Sequence, residues 1–453
     1  MKIKYINNIW CRADLEATKI IAPHLIYDVE VWTHGPFSKT KKVKQAYFIN
    51  RNTGVFLAGI LPRVLKLGKF EVEGSPKSIF YGINEPYKNP HFDLRDYQYD
   101  LNKCCLNKGR GVLSALTSAG KTIMAASILT TMVHHKPNSF FLFLCHTRTL
   151  LNQTYAEFTK FGLNCSRVGD GHQFYLNKDE PIVISTIQSF SNLLPEQYKN
   201  VFDLVIIDEV HRVNKLKSRY GEVLLNLQCW NRLGLTATVP KEKAKLLALE
   251  GLVGPVIGTY ALKQGIDDKN AVKPRITLLP VDRHASIADL TIYNKIYTAG
   301  ITNNLSRNRS IVDACKERND KGKTVLVMIK AIEHGQNILN IAKENKVGRI
   351  IFIQGKSLSS LKEAVKEAFQ NKNIKTVICT NIWREGINIP SLDCVIDAGS
   401  GKSEQATLQA IGRGLRTFEG KTELEIIDFL DPYKYLAEHA MIRFNIYAKE
   451  GWL

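Results

Sequence analysis

The chain has 453 residues, 44% hydrophobic and 23% charged, which excludes wholesale disorder and leaves apolar residues for several cores. Lys plus Arg number 62 against 43 Asp plus Glu, and the resulting charge of +19 favours a polyanionic partner, nucleic acid ahead of an anionic membrane. Nine cysteines without a C-x-x-C pair argue against a disulfide framework or structural zinc and for a reducing compartment. MKIKYINNIWCRAD at the N-terminus lacks a signal-like apolar run, and no window reaches about 18 uninterrupted apolar residues, so a cytoplasmic protein without a membrane span is expected.

Residues 1–90 read as a small α+β accessory domain. YDVEVW (27–32), QAYFIN (45–50) and GVFLAGIL (54–61) have strand composition, and Arg51-Asn52-Thr53-Gly54 supplies turn chemistry for a hairpin between the last two. SKTKKVK (38–44) places four lysines in an expected loop, either simply solvated or in contact with a DNA backbone. NEPYKNPHFDL (84–94) reads as a linker.

From about residue 95, short apolar runs alternate with helical stretches. The runs are GVLSAL (111–116), FFLFLC (140–145), PIVIST (181–186) and FDLVIID (202–208), and TIMAASILTTMVHH (122–135) is the helix after the first. A second series starts near residue 323 with KTVLVMI, GRIIFIQG, KTVICT, DCVIDAG and LEIIDF, and contains the helical stretch LSSLKEAVKEAFQNK (358–372). This is the pattern of buried parallel strands. The expected fold class is α/β: two tandem parallel-sheet domains, 91–262 and 311–453, joined by a connector, 263–310.

ALTSAGKT (115–122) lies between an expected strand and an expected helix, the setting of a phosphate-binding loop, although Ala115 stands where the general pattern has its first glycine. Backbone N–H groups of Ser118, Ala119, Gly120, Lys121 and Thr122 would line phosphates at a helix N-terminus. Lys121 would reach the β- and γ-phosphates, and the Thr122 hydroxyl would sit on Mg²⁺. VIIDEVH (205–211) ends a buried strand in Asp208-Glu209, a costly pair unless a cation faces it. Asp208 would hold Mg²⁺, and Glu209 would orient or deprotonate the attacking water. In QAIGRGLR (409–416), Gln409 accompanies Arg413 and Arg416, which share a helix face and suit a transferring γ-phosphoryl group.

Together these segments resemble the superfamily 2 helicases and translocases over residues 94–430, with motifs in the family's order. LRDYQ (94–98) looks like the adenine-reading segment, ALTSAGKT like motif I in the form with a leading alanine, and HTRTLLNQ (146–153) like motif Ia. STIQS (185–189) fits the next DNA-contact motif, DEVH (208–211) motif II, LTAT (235–238) motif III and TVLVMIKAIEHG (324–335) motif IV. TNIWREGINIP (380–390) and QAIGRGLR resemble motifs V and VI. Two departures stand out: His146-Thr147 where Pro-Thr is usual, and Asn388 where Asp is common, so Gly386 is the motif V residue carried over.

The resemblance implies RecA-like folds for both α/β domains. It assigns ATP contacts to Arg95, Gln98 (the base), Thr117, the remainder of the phosphate loop, Gly386 and Gln409. It assigns coupling to His211, Thr236 and Thr238, and DNA contacts to Arg148, Thr186 and Gln188 in the first domain and Thr380 in the second. D-E-x-H with T-A-T, the T-S-A-G-K-T loop, I-E-H-G and the small N-terminal domain look like the UvsW-type phage recombination helicases, similar in activity to bacterial RecG. This implies an ATP- and Mg²⁺-dependent motor that remodels branched DNA in recombination, replication or repair. Branch migration, fork regression and D-loop or R-loop unwinding are the implied reactions. A monomer is expected, without membrane association, with recombination or replication proteins as partners and the host cytoplasm as its place if phage-encoded. Three alternatives stay open at this point: an RNA helicase, the motor subunit of a restriction or repair nuclease, and an ATP-gated DNA clamp with negligible turnover.

Overall fold

Alternation and apolar runs sort the described strands into a mixed sheet and an antiparallel ribbon near the N-terminus and two fully parallel sheets after them. The computed structural model describes residues 1–34, 39–76, 78–117, 119–345, 347–380, 389–402, 407–408, 411–412 and 414–453, without the side chains of 30–34, 39–42 and 359. The chain divides into two units, Met1–Ala261 and Leu262–Leu453.

The N-terminal sheet is built from β1 (Lys2–Tyr5), β2 (Trp10–Ala13), β5 (Val55–Leu57) and β6 (Glu71–Glu73) in the order β5-β2-β1-β6. Between β2 and β5, β3 (Ile26–His34) and β4 (Lys39–Tyr47) form a separate two-stranded ribbon, paired from Ile26↔Tyr47 to His34↔Lys39. SKTKKVK, expected as a loop, therefore supplies the start of a strand. A ribbon outside any larger sheet tolerates lysine, and its β-prone partner IYDVEVWTH provides the pairing. The turn at Arg51–Gly54 forms, with Asn50 Oδ1 accepting from the N–H groups of Asn52 (3.0 Å) and Thr53 (3.1 Å) and Gly54 at a φ of +66°, but the expected hairpin is reduced to the single bridge Ile49↔Phe56, because β4 pairs with β3 and β5 with β2. Only Val55–Leu57 of GVFLAGIL is strand, because Pro62 follows and the chain turns helical.

This N-terminal sheet shares its core with the parallel sheet of the same unit. Ile3, Phe56, Leu57 and Ile60 belong to one buried cluster with Val112, Leu142 and Leu252. Gly59 meets the helix Lys243–Leu252 so closely that an added Cβ would stand 2.1 Å from the Glu250 carbonyl oxygen. Arg63 donates twice to the Glu250 carboxylate, both at 2.7 Å.

The larger sheet of this unit has seven parallel strands: β7 (Arg110–Ala115), β8 (Phe140–Cys145), β9 (Cys165–Val168), β10 (Ile182–Thr186), β11 (Phe202–Ile207), β12 (Asn231–Thr236) and β13 (Val256–Tyr260). Their order is β13-β7-β12-β11-β8-β10-β9. The second unit has six parallel strands: β14 (Lys273–Pro280), β15 (Val325–Met328), β16 (Ile350–Ile353), β17 (Thr376–Cys379), β18 (Cys394–Asp397) and β19 (Glu423–Leu430), in the order β14-β19-β18-β15-β17-β16. β14 lies in the stretch read as a connector and pairs with β19 over eight residues. Parallel strands of one sheet end on one edge, where ligands of open α/β sheets bind. Among the described residues, no helix is long and apolar enough to cross a membrane.

Candidate active site

β7 delivers the chain to residues 116–120, and the helix Lys121–His135 carries it away. Gly120 caps that helix at φ +71°, ψ +41°, a conformation glycine adopts without steric cost. An added Cβ there would stand 2.5 Å from Gln98 Nε2. Gln98 is buried and braces the loop: Nε2 donates to the Ala119 carbonyl at 2.9 Å, and Oε1 accepts from the Arg95 N–H at 3.0 Å. Each amide group keeps one further hydrogen-bonding site, so a base contact by Gln98 stays chemically open. Arg95 is exposed at the start of the helix Asp96–Lys108, and Thr117 is half-buried. Tyr97, inside LRDYQ but given no role from the sequence, donates its hydroxyl to the same Ala119 carbonyl at 3.0 Å and stacks on Tyr260 at 3.7 Å. An aromatic residue beside the helix-starting glutamine was the available signal. Lys121 Nζ donates to the carbonyls of Ala115 and Leu116, each at 3.3 Å. Ser118 lies outside the described residues.

β12 separates β7 from β11, so the Thr236 end lies between the phosphate loop and the acidic pair. Burial first, then the charge of Glu209, holds the Asp208 carboxyl above the usual carboxylate range, and the Lys121 ammonium works against both. The Glu209 N–H donates to Asp208 Oδ1 at 2.9 Å, and Glu209 takes a φ of +48°, a strained backbone for a side chain of this kind. His211 Nδ1 lies 3.3 Å from Glu209 Oε2 and 3.0 Å from Thr236 Oγ1. Thr236 Oγ1 donates to the Thr238 carbonyl at 2.8 Å and accepts from the Thr238 N–H at 3.1 Å. The three coupling residues named from sequence thus form one hydrogen-bonded chain, with the Glu209 carboxylate 3.3 Å from its His211 end.

The Asp208 carboxyl, whose buried charge is costly, is a hard oxygen donor that suits Mg²⁺, and Thr122, in the first turn of the helix after the loop, carries the second hard oxygen named from sequence. Among the described residues, no group of three or more His, Cys, Asp or Glu forms a metal cage. Mg²⁺ needs none, because it keeps waters and takes phosphate oxygens alongside one or two protein ligands.

Farther along the same sheet edge, β8 leads to Arg148 and β10 to Thr186 and Gln188. Arg148 is exposed, 3.9 Å from Asp170, and Gln188 is exposed as well. Thr186 is buried: its hydroxyl accepts from the Ser189 N–H at 3.1 Å and donates to Ser189 Oγ at 2.9 Å. Its visible work is to cap the turn that presents Gln188. In the second unit, Thr380 follows β17, half-buried. The Leu415 carbonyl accepts from the Val272 N–H at 2.8 Å, and Arg416 bridges Ala271. Gly386, Gln409 and Arg413 lie outside the described residues.

Two family descriptions match successive parts of the chain: "Type III restriction enzyme, res subunit" over residues 91–241 and "Helicase conserved C-terminal domain" over residues 306–417. The chain is a superfamily 2 helicase, an enzyme that hydrolyses ATP. It is 24% identical over 412 residues to the ATP-dependent DNA helicase uvsW of Enterobacteria phage T4, covering 85% of this chain and 78% of that one. It is also 24% identical over 474 residues to the protein designated helicase 22 of Sulfolobus islandicus filamentous virus, covering 98% and 82%. In fold it is similar to a fragment assigned as the HsdR subunit of a type I restriction enzyme from Vibrio vulnificus YJ016, with a TM-score of 0.58 at 22% identity, covering 77% of this chain and 66% of that one.

Proposed function

We propose that this helicase is a DNA motor that uses ATP and Mg²⁺ to remodel branched DNA by branch migration, fork regression or unwinding of D-loops and R-loops. The observation that carries the reading is the order of loops along one sheet edge. The phosphate loop follows β7, Thr236 and Thr238 follow β12, Asp208 to His211 follow β11, Arg148 follows β8 and Gln188 follows β10. Fuel-binding groups thus give way strand by strand to exposed groups suited to phosphate, and the Glu209–His211–Thr236–Thr238 chain runs between β11 and β12.

Thr122 and Asp208 would hold Mg²⁺, which would supply positive charge to the phosphates of bound ATP. Lys121 turns from the Ala115 and Leu116 carbonyls to those phosphates, with backbone N–H groups of Ser118 to Thr122 around them. Glu209 takes the proton of the attacking water, and Arg413 and Arg416 stabilise charge on the γ-phosphoryl group. Gln98 and Arg95 serve the base end, with Thr117, Gly386 and Gln409 completing the nucleotide contacts. Loss of the γ-phosphoryl contact changes what Glu209 and His211 face, and Thr236 and Thr238 carry that difference toward the nucleic-acid residues. Arg148, Thr186, Gln188 and Thr380 hold the strand by its backbone, which fits movement without sequence readout.

In this reading residues 91–262 and 311–453 are the motor domains, 263–310 joins them, and 1–90 is an accessory DNA-binding domain whose lysine-bearing ribbon contacts backbone phosphates. The protein works as a cytoplasmic monomer alongside recombination or replication proteins. The relationship to a DNA helicase and the +19 charge support DNA as the partner. The test is an ATP-dependent unwinding panel of forks, Holliday junctions, D-loops and R-loops, with ATPase stimulation compared for DNA and RNA. Preferential action on branched DNA is expected. Stronger stimulation by RNA, or indifference to branching, overturns the reading.

A further inference from the structure

We propose that Lys421 is a positioning residue for ATP turnover, tying the exit of the segment that carries Gly386 to the exit of the segment that carries Arg413 and Arg416. The inference rests on the assignment of Arg416 to the γ-phosphoryl group and adds what holds that arginine in place.

Lys421 Nζ donates to the Pro390 carbonyl at 3.0 Å and to the Gly414 carbonyl at 2.5 Å. Pro390 closes the first segment, and Gly414 lies two residues before Arg416. Each exit is also fixed on its own side. On the first, Thr324 Oγ1 donates to the Ser391 carbonyl at 2.8 Å and accepts from the Asp393 N–H at 3.1 Å. On the second, Gly414 is pressed against the sheet, where an added Cβ would stand 2.7 Å from the Leu424 side chain and 3.3 Å from that of Leu392. The backbone of Leu415 and Arg416 is held by Val272 and Ala271. The ammonium joins these two braced pieces directly. Its three donors can hold both carbonyls and keep one for water, and its charge strengthens both bonds. An apolar side chain of the same length would remove both of these hydrogen bonds between the exits.

The bridge also carries a titration. Burial lowers the Lys421 ammonium to about 8, with Asp393 opposing and Lys372 adding to the fall. Lys372 Nζ itself lies 3.5 Å from Asp393 Oδ2. As pH rises through about 8, Lys421 becomes a neutral amine with two donors and no charge, and its hold on the carbonyls weakens. The presentation of Arg416 then loosens, so turnover falls while ATP binding by the phosphate loop continues.

The experiment is steady-state ATPase of the full chain with DNA, followed from about pH 6.5 to about pH 10, for the wild type, Lys421→Met and Lys421→Arg, with Arg416→Ala as control. The wild-type kcat is expected to decline above about pH 8. Lys421→Met should lower kcat about tenfold at neutral pH and flatten that alkaline limb, with KM for ATP within about threefold. Lys421→Arg, which stays protonated, should retain kcat within about threefold and move the limb upward by a unit or more. If Lys421→Met does not fold, as judged by circular dichroism, the limb in Lys421→Arg against the wild type decides. Lys421→Met with wild-type kcat and limb, or Lys421→Arg with the limb unmoved, overturns the inference while leaving the assignment of Arg416 intact. Wild-type turnover by Arg416→Ala removes that assignment and this inference together.

Discussion

His211 Nδ1 meets Thr236 Oγ1 on one side and the Glu209 carboxylate, which can only accept, on the other, so the tautomer with the proton on Nδ1 suits both partners. The Thr236 hydroxyl has one proton, and in that arrangement it points at the Thr238 carbonyl 2.8 Å away. Toward His211, 3.0 Å away, the same oxygen then accepts. Glu209 Oε2, 3.3 Å from Nδ1, competes for its proton. A change in what Glu209 faces alters how firmly His211 holds Thr236, which gives the carboxylate proposed as the base a physical line to the end of β12.

Thr236→Val preserves shape and removes the hydroxyl. It should cost about 1–2 kcal/mol of stability by leaving buried partners unpaired. ATP hydrolysis should survive within about fivefold, whereas unwinding should fall by a coupling factor of about 5–150. Parallel ATPase and strand-separation assays give the ratio. An unchanged ratio means that this hydrogen-bonded chain does not couple.

Glu209→Gln keeps size and removes the base. Its kcat should drop about 10²–10⁴-fold with ATP still bound, as general-base removal predicts. Lys121→Ala should lose turnover through lost phosphate contact, and Arg416→Ala should bind ATP and DNA but hydrolyse about 10³-fold more slowly. Equilibrium nucleotide binding beside single-turnover hydrolysis separates the three. Wild-type turnover in any one removes the role given to that residue.

Gly120→Ala tests the loop's geometry apart from its chemistry. The φ of +71° costs a side chain about 1–2 kcal/mol, and the new Cβ meets Gln98 Nε2, which is held by Ala119. Weaker ATP binding is expected, with the melting temperature lowered by about 2–4 °C per kcal/mol lost. Alanine at 120 with wild-type ATP affinity contradicts the close fit.

The motor architecture was legible because buried parallel strands are nearly all apolar: GVLSAL, FFLFLC, PIVIST and FDLVIID all became strands within a residue or two of their expected limits. The phosphate loop and DEVH could be read because their chemistry demands particular residues at strand ends. Strands β9, β13 and β14 left weaker traces, since Cys165–Val168 and Val256–Tyr260 are short and KPRITLLP is bounded by prolines. The lysine ribbon was misread because its strand character depends on a partner, and charge alone looks like solvated loop. Lys421 and Tyr97 donate to backbone carbonyls, and a carbonyl partner leaves no residue pattern of its own, so Tyr97 had only its place beside Gln98 as a signal and Lys421 had none.

His334, in the I-E-H-G segment, should make the second unit acid-sensitive. Burial first, with Arg307 adding, lowers its imidazolium to about 3, and Nε2 lies 2.9 Å from Asn308 Oδ1. The unfolded chain takes up this proton near pH 6.5 and the folded one does not. Between those values the unfolded state binds more protons, so stability falls as pH falls, by up to about 1.4 kcal/mol per unit from this one residue. Urea unfolding across that range should show the slope, and His334→Gln should flatten it. An equal slope in the variant assigns the acid sensitivity elsewhere.

The lysines of the ribbon provide the test of the N-terminal role. Deleting residues 1–90 is a poor instrument, because Leu57 and Ile60 share a core with Leu252 and the deletion would strip that core. Replacing Lys39, Lys41, Lys42 and Lys44 with Gln removes four charges while leaving Leu57, Ile60 and Leu252 in place. If these side chains hold DNA phosphates, duplex affinity falls and the slope of log K against log salt shrinks by about 0.9 for each lysine in contact. Unwinding of a junction should suffer more than DNA-stimulated ATPase on single strands, since the strand contacts proposed for Arg148, Thr186, Gln188 and Thr380 are untouched. An unchanged salt slope with unchanged junction unwinding would mean that the ribbon does not touch DNA.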